Sequence, residues 1–185
     1  MAVQPRETRL TAQQFFHEYP ADGKRYELID GELREMTTAN IRHQRINSRL
    51  FLLLHSAVST TGGEVFSSGV GIDLGGGSVL IPDMVVLNQR SDQIDTEYGL
   101  TTAPDIVVEI LSPSTARYDR GEKSERYATF GVRELWLVSP EAEIIEVFAL
   151  AESRYVLHVR VGLDEPIRST VLPHLSFLAS TVFAS

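Results

Sequence analysis

Residues 103–138 read "APDIVVEILSPSTARYDRGEKSERYATFGVRELWLV". They open on an apolar run, 106–111, of strand length and rich in β-branched side chains. "SPST" at 112–115 breaks the run and supplies hydroxyls able to start a helix. From about 117 to 130 the pattern becomes helical, with Asp119, Lys123, Arg126, Tyr127 and Phe130 sharing one face. Gly131 stands where a helix closes in the left-handed conformation. "VRELWLVSP" then returns to strand. A helix that crosses over between two strands, after a run of consecutive strands, predicts an α/β (α+β) fold around a mixed sheet.

Working outward gives the rest of the order. "TAQQFFHEY" at 11–19 is a short helix with Thr11 and Gln14 spaced as a capping box. "RYELIDGELREM" alternates around Asp30-Gly31, which marks a hairpin. Asn40 caps a helix to about Thr60 with Ile46, Leu50, Leu53, Leu54 and Ala57 on one face, and Gly62-Gly63 stop it. "EVFSSGVGIDL" reads as a strand bent at Gly69 or Gly71, and "VLIPDMVVLN" as a second strand. "QRSDQIDTEYGLTTAP" is a polar connection. "IIEVFAL" and "RYVLHVRV" form a closing hairpin, and "VLPHLSFLAS" a docked tail. The order is α-hairpin-α-βββ-α-β-ββ, expected as a single domain over 1–185 with its core at about 40–140.

The chain has 185 residues, 43% of them hydrophobic, enough for a packed core, and no apolar run long enough to cross a membrane. "MAVQPRETRL" lacks the apolar segment of a secretory signal, and there is no cysteine, so disulfides and thiolate metal sites are excluded and a cytoplasmic location is expected. A net charge of −8 argues against a broad basic nucleic-acid footprint; any such site must be a local basic patch or use metal ions. Lysine is scarce, with Lys24 and Lys123 the two among 17 basic residues.

Two acidic residues interrupt apolar strands. Asp83 faces with Val85 and Leu87, and Glu109 with Val107 and Leu111. On adjacent strands in suitable register they would stand roughly 5 Å apart. Two such carboxylates repel, and a hard divalent cation, Mg²⁺ or Mn²⁺, resolves the conflict together with a neighbouring carbonyl. The bland reading gives each carboxylate its own arginine or backbone partner. Lys123 leans inward with Tyr127 and Phe130; desolvated, it could orient or deprotonate a water, as arginine could not. Its bland reading is a surface pair with Asp119 at i,i+4. His43 falls on the apolar side of its helix, where a hydrogen-bonded core histidine is the plain interpretation. Glu27 shares a strand face with Arg25 and Ile29. Arg42, Arg45 and Arg49 share a polar helix side, either solvated or touching phosphates.

Taken together, "IPD" at 81–83, Glu109 and Lys123 resemble the PD-(D/E)XK nuclease superfamily. "YELIDGEL" at 26–33, "HQRI" at 43–46, "IPDMVVL" at 81–87, the whole 103–138 block and "LP" at 172–173 resemble its Uma-type restriction-endonuclease branch. The resemblance implies a restriction-endonuclease-like α-β-β-β-α-β core and metal-dependent hydrolysis of DNA phosphodiesters. It implies Asp83, Glu109 and Lys123 as catalytic, with Asp83, Glu109 and the Ile110 carbonyl holding Mg²⁺ (or Mn²⁺). Glu27, His43 and Asp119 rank second. A homodimer is expected for duplex cleavage. The third strand departs from the superfamily's Glu-X-Lys, reading Glu109-Ile110-Leu111, which makes Lys123 of the next helix the candidate lysine. The alternative is a catalytically silent member that binds nucleic acid or protein.

Overall fold

A computed structural model describes residues 9–18, 20–89, 94–95 and 99–184. The first helix, α1 (Ala12–His17), carries the expected capping box between Thr11 and Gln14; Tyr19, read as its end, lies outside the described residues. Strands β1 (Tyr26–Ile29) and β2 (Glu32–Glu35) pair antiparallel. Asp30 (φ 50°) and Gly31 (φ 86°) both turn through the left-handed region, as a tight Asp-Gly hairpin requires. Helix α2 (Ile41–Val58) begins where the Asn40 side chain accepts a bond from the His43 N–H at 2.9 Å. Its buried stripe is Ile46, Leu50, Leu54 and Val58.

Each of the next two strands read from the sequence is in fact two strands in different sheets. Residues 64–75 split into β3 (Glu64–Ser67) and β4 (Ile72–Gly75), because Ser68 (φ 57°) and Gly69 (φ 88°) reverse the backbone between them. Residues 78–87 split into β5 (Ser78–Leu80) and β6 (Met84–Leu87). Pro82 lies in the gap, and with no N–H it cannot extend a ladder. Asp83 is therefore the last residue of a short crossover between sheets, not the middle of a strand.

The polar connection contains the two-residue strands β7 (Ile94–Asp95) and β8 (Gly99–Leu100); its residues 90–93 and 96–98 lie outside the described set. Strand β9 (Ile106–Ile110) follows. The expected helix after it is composite: α3 (Ala116–Tyr118), a π-helical turn (Asp119–Lys123) and α4 (Ser124–Phe130), closed by Gly131 at φ 97°. Then come β10 (Glu134–Ser139), the hairpin β11 (Ile144–Ala151) and β12 (Arg154–Val161), and α5 (Ser180–Phe183), whose Val182 and Phe183 dock the tail.

The expected mixed sheet of an α/β (α+β) fold is present and a second sheet accompanies it: the two are six-stranded, ordered β2-β1-β5-β4-β8-β7 and β12-β11-β10-β9-β6-β3. The latter is mixed: β9 runs parallel to β10 and antiparallel to β6. One of its faces sets Met84, Val86, Ile106 and Val108 against the α2 stripe. The other sets Val85, Val107 and Leu111 against Tyr127. Each fully buried Leu, Ile or Val here contributes about 1.5–3 kcal/mol of transfer free energy. The series α2, β3, β6, β9, α3–α4, β10 follows the α-β-β-β-α-β order. No described helix is long and apolar enough to cross a membrane, and residues 1–8, most of the stretch read for a secretory signal, are outside the described set.

Candidate active site

The β6–β9 register pairs Met84 with Val108 and Val85 with Val107. Continued by one residue, it sets Asp83 opposite Glu109 on the Val85 and Val107 face. The two segments are tied at that point, since the Ile110 N–H donates to Asp83 Oδ2 at 2.8 Å. His43 Nε2 lies 3.2 Å from the same oxygen. His43 is therefore not a plain core histidine; from the first turn of α2 it reaches across to Asp83.

Glu109 is 4% exposed. Its Oε1 accepts the Tyr127 hydroxyl at 2.7 Å and the Lys123 ammonium at 3.0 Å. Lys123 Nζ also lies 2.9 Å from Glu27 Oε1 and 3.6 Å from Asp119 Oδ1. The Asp119–Lys123 pair is thus no surface pair, because both side chains are within the interior of the site. The π-helical turn has the two residues at its ends, and both are buried. Glu27 belongs to the first sheet, where its Oε1 also accepts the Ile81 N–H at 3.0 Å. Lys123 consequently joins the two sheets beneath the crossover that carries Asp83.

Burial pushes the Glu109 carboxyl well above the usual carboxylate range; Lys123 opposes this, while Asp119, Asp83 and Glu27 add to it. Asp119 moves the same way, chiefly through burial. Burial works against the Lys123 ammonium, but Glu109, Glu27 and Asp119 outweigh it and hold that group above its ordinary value. Deprotonation of Lys123 to serve a water is therefore disfavoured. What this lysine supplies is fixed positive charge and hydrogen bonds. Burial likewise holds the Tyr127 phenol well above its ordinary value, so it remains a donor.

Among the described residues no group of three or more His, Asp or Glu side chains is arranged to hold a metal alone. The donor chemistry nevertheless fits a hard cation. The bonds given above engage one oxygen of each carboxylate, Asp83 Oδ2 and Glu109 Oε1, and leave Oδ1 and Oε2 outside them. Two carboxylate oxygens and no soft ligand suit Mg²⁺ or Mn²⁺, which retain several waters.

Asp83, Glu109, Lys123, Glu27, His43 and Asp119 all line one cleft of about 290 Å³. Leu111, at the superfamily's usual lysine position, is 7% exposed and packs with the apolar face instead. Of the three α2 arginines, Arg42 lines this cleft and Arg45 and Arg49 do not. Arg42 pairs with Glu143 at 3.1 Å and Glu141 at 3.6 Å, and Arg49 donates to the Val182 and Ala184 carbonyls. Sequence reasoning took Tyr127 for packing alone and did not place Tyr118 or Arg34 at the site. Tyr127 had a detectable signal, lying four residues beyond Lys123; the other two meet only through the tertiary fold.

This order of elements, with carboxylates at the β6–β9 junction and a lysine from the following helix, defines a restriction-endonuclease-like protein. A crystal structure from Anabaena variabilis, described as that of "a putative nuclease belonging to DUF820", superposes with a TM-score of 0.76. It covers 95% of this chain and 98% of its own at 19% identity, which establishes likeness of fold. The Uma2 family, described as "Putative restriction endonuclease", matches residues 12–181, and the chain belongs to it. Two Synechocystis relatives, the uncharacterized proteins sll1609 and slr1290, are 26% and 29% identical over 121 residues. Each alignment takes in 65% of this chain, and 68% and 63% of the respective relatives.

Proposed function

We propose that this chain is a metal-dependent endonuclease that hydrolyses DNA phosphodiester bonds. The observation carrying the proposal is Lys123 Nζ at 3.0 Å from Glu109, a residue that the strand register sets opposite Asp83. Membership of a family described as a restriction endonuclease supports the same reading. Asp83, Glu109 and the Ile110 carbonyl would hold Mg²⁺ or Mn²⁺. The bound cation supplies Lewis acidity towards a phosphodiester.

The protein's own groups do the remaining work. The Ile110 N–H and His43 fix the orientation of Asp83. Tyr127 and Lys123 fix Glu109. The Lys123 ammonium, held charged by its neighbours, stabilises negative charge that develops on the phosphoryl oxygens. Glu27 and Asp119 keep that ammonium in place. A homodimer acting on both strands, in the cytoplasm, completes the proposal.

The test is cleavage of supercoiled plasmid and linear duplex with Mg²⁺ or Mn²⁺, using wild type, Asp83→Asn and Lys123→Met, with mass measured by light scattering. Metal-dependent nicking by wild type, absent in Asp83→Asn, is expected. The enclosure of Lys123, 6% exposed and shared among carboxylates, favours one rival, a silent member that binds without cutting. Binding without cleavage at excess Mn²⁺ would establish that rival.

A further inference from the structure

A chain of net charge −8 with carboxylates on the floor of its cleft must attract a polyanion through cations at the mouth. The α2 arginines are poor candidates, since Arg42 and Arg49 are already engaged by the chain itself and Arg45 does not line the cleft. The β1–β2 hairpin offers a better pair. Arg34 stands directly opposite Glu27 in the hairpin register, and Arg25 is two residues before Glu27 on the same face. Both residues line the cleft.

Their surroundings differ from those of a structural arginine such as Arg126, which bonds Asp30 and Glu122 at 2.9 Å each. Arg34 comes no nearer than 4.0 Å to Glu122, beyond hydrogen-bond reach. What holds it is the Tyr118 ring, with Arg34 Cζ 3.4 Å from the centroid. Arg25 is exposed, and no ion pair to it exists among the described residues. A guanidinium shelved flat on an aromatic ring keeps its N–H edge directed outward, the geometry that suits a phosphate. With one face covered by Arg34, the ring itself is a shelf and not a platform for a base.

We propose that Arg34, shelved on Tyr118, and Arg25 together grip a backbone phosphate of the nucleic-acid strand bound in the cleft, a role that rests on the nuclease reading above. Arg34 and Arg25 are substrate-binding residues, and Tyr118 is a positioning residue that acts through Arg34. The hairpin, which lies outside the α-β-β-β-α-β core, thereby becomes the substrate-holding element.

The experiment is equilibrium binding of a short fluorescein-labelled DNA duplex, with Ca²⁺ replacing Mg²⁺, across a salt series. Plasmid cleavage with Mn²⁺ is run in parallel on the same proteins. Arg34→Gln and Arg25→Gln should each weaken binding about ten-fold. Each should also lower the slope of log affinity against log salt by about 1. Tyr118→Phe keeps the shelf and should bind like wild type, whereas Tyr118→Leu, which removes no charge, should bind as weakly as Arg34→Gln. At sub-saturating DNA, cleavage should fall in step with binding in Arg34→Gln, Arg25→Gln and Tyr118→Leu. Wild-type binding and an unchanged salt slope in both arginine variants would overturn the proposal while leaving the nuclease reading standing. A wild-type protein that neither binds nor cuts DNA would remove both.

Discussion

Replacing Lys123 with methionine removes the one ammonium shared by Glu27, Glu109 and Asp119. The apolar volume is roughly kept, so the cost is electrostatic. Its contacts lie at 2.9, 3.0 and 3.6 Å, and the side chain is 6% exposed, so solvent cannot substitute. Stranding a buried charge by deleting its partner costs about 3–5 kcal/mol. For a chain of this size that corresponds to a fall in melting temperature of roughly 6–20 °C. The loss should depend on pH in a definite direction. Glu109 is already raised, and without the opposing charge of Lys123 it is raised further. A group whose folded pKa lies above its unfolded value keeps protons that the unfolded chain has lost, so stability falls as pH rises between the two. Urea denaturation should therefore give a smaller deficit at about pH 5 than at about pH 8. An equal deficit at both, or wild-type stability at the higher pH, would refute the account of Lys123 as the counter-charge of the site.

Three further outcomes follow from the same geometry. Mn²⁺ at one hundred times its dissociation constant should stabilise the native protein by about 2.7 kcal/mol, less in Asp83→Asn, and calorimetry should find binding weakening as pH falls because protons compete for the raised Glu109 carboxyl. Tyr127→Phe deletes a 2.7 Å bond to a buried carboxylate and should cost about 1.5–3 kcal/mol by urea denaturation, with unchanged stability disproving that role. Glu134→Gln disturbs a fully buried carboxylate that accepts bonds from Trp136 at 2.9 Å, Ser169 at 2.8 Å and Thr170 Oγ1 at 2.6 Å; it should cost about 1–3 kcal/mol and make the segment after Val161 cleave faster under limited proteolysis.

Much of this architecture was legible because its signals are local. Asp30-Gly31 needs its neighbours alone to make a hairpin, and Asn40 caps α2 through a bond three residues away. The strands read at 64–74 and 79–88 were each taken as one element for the opposite reason. Alternation of apolar residues persists across Ser68-Gly69 and Pro82 whether or not the chain changes sheets, and nothing local states which sheet receives it. The site shows the same division. Asp83, Glu109 and Lys123 stood out as charges in apolar settings, and Glu27 and His43 entered through family resemblance. The contact of Arg34 with Tyr118 joins residues far apart in the chain, and the sheet β2-β1-β5-β4-β8-β7 that presents Arg34 was itself not foreseen.

The π-helical turn at Asp119–Lys123 also constrains how chain length can vary here. A helix rotates by about 100° for each residue gained or lost. Lys123 and Tyr127 both converge on Glu109 Oε1 from opposite sides of the boundary between this turn and α4. Deleting Gly121 would leave Tyr127 seated in the core and swing the preceding turn, with Asp119, out of phase with the carboxylates. An insertion would do the reverse. Length across residues 116–130 is therefore a fixed quantity of the site. A single-residue indel between Asp119 and Lys123 would thus part the lysine from its Asp119 partner even where every acidic residue is retained.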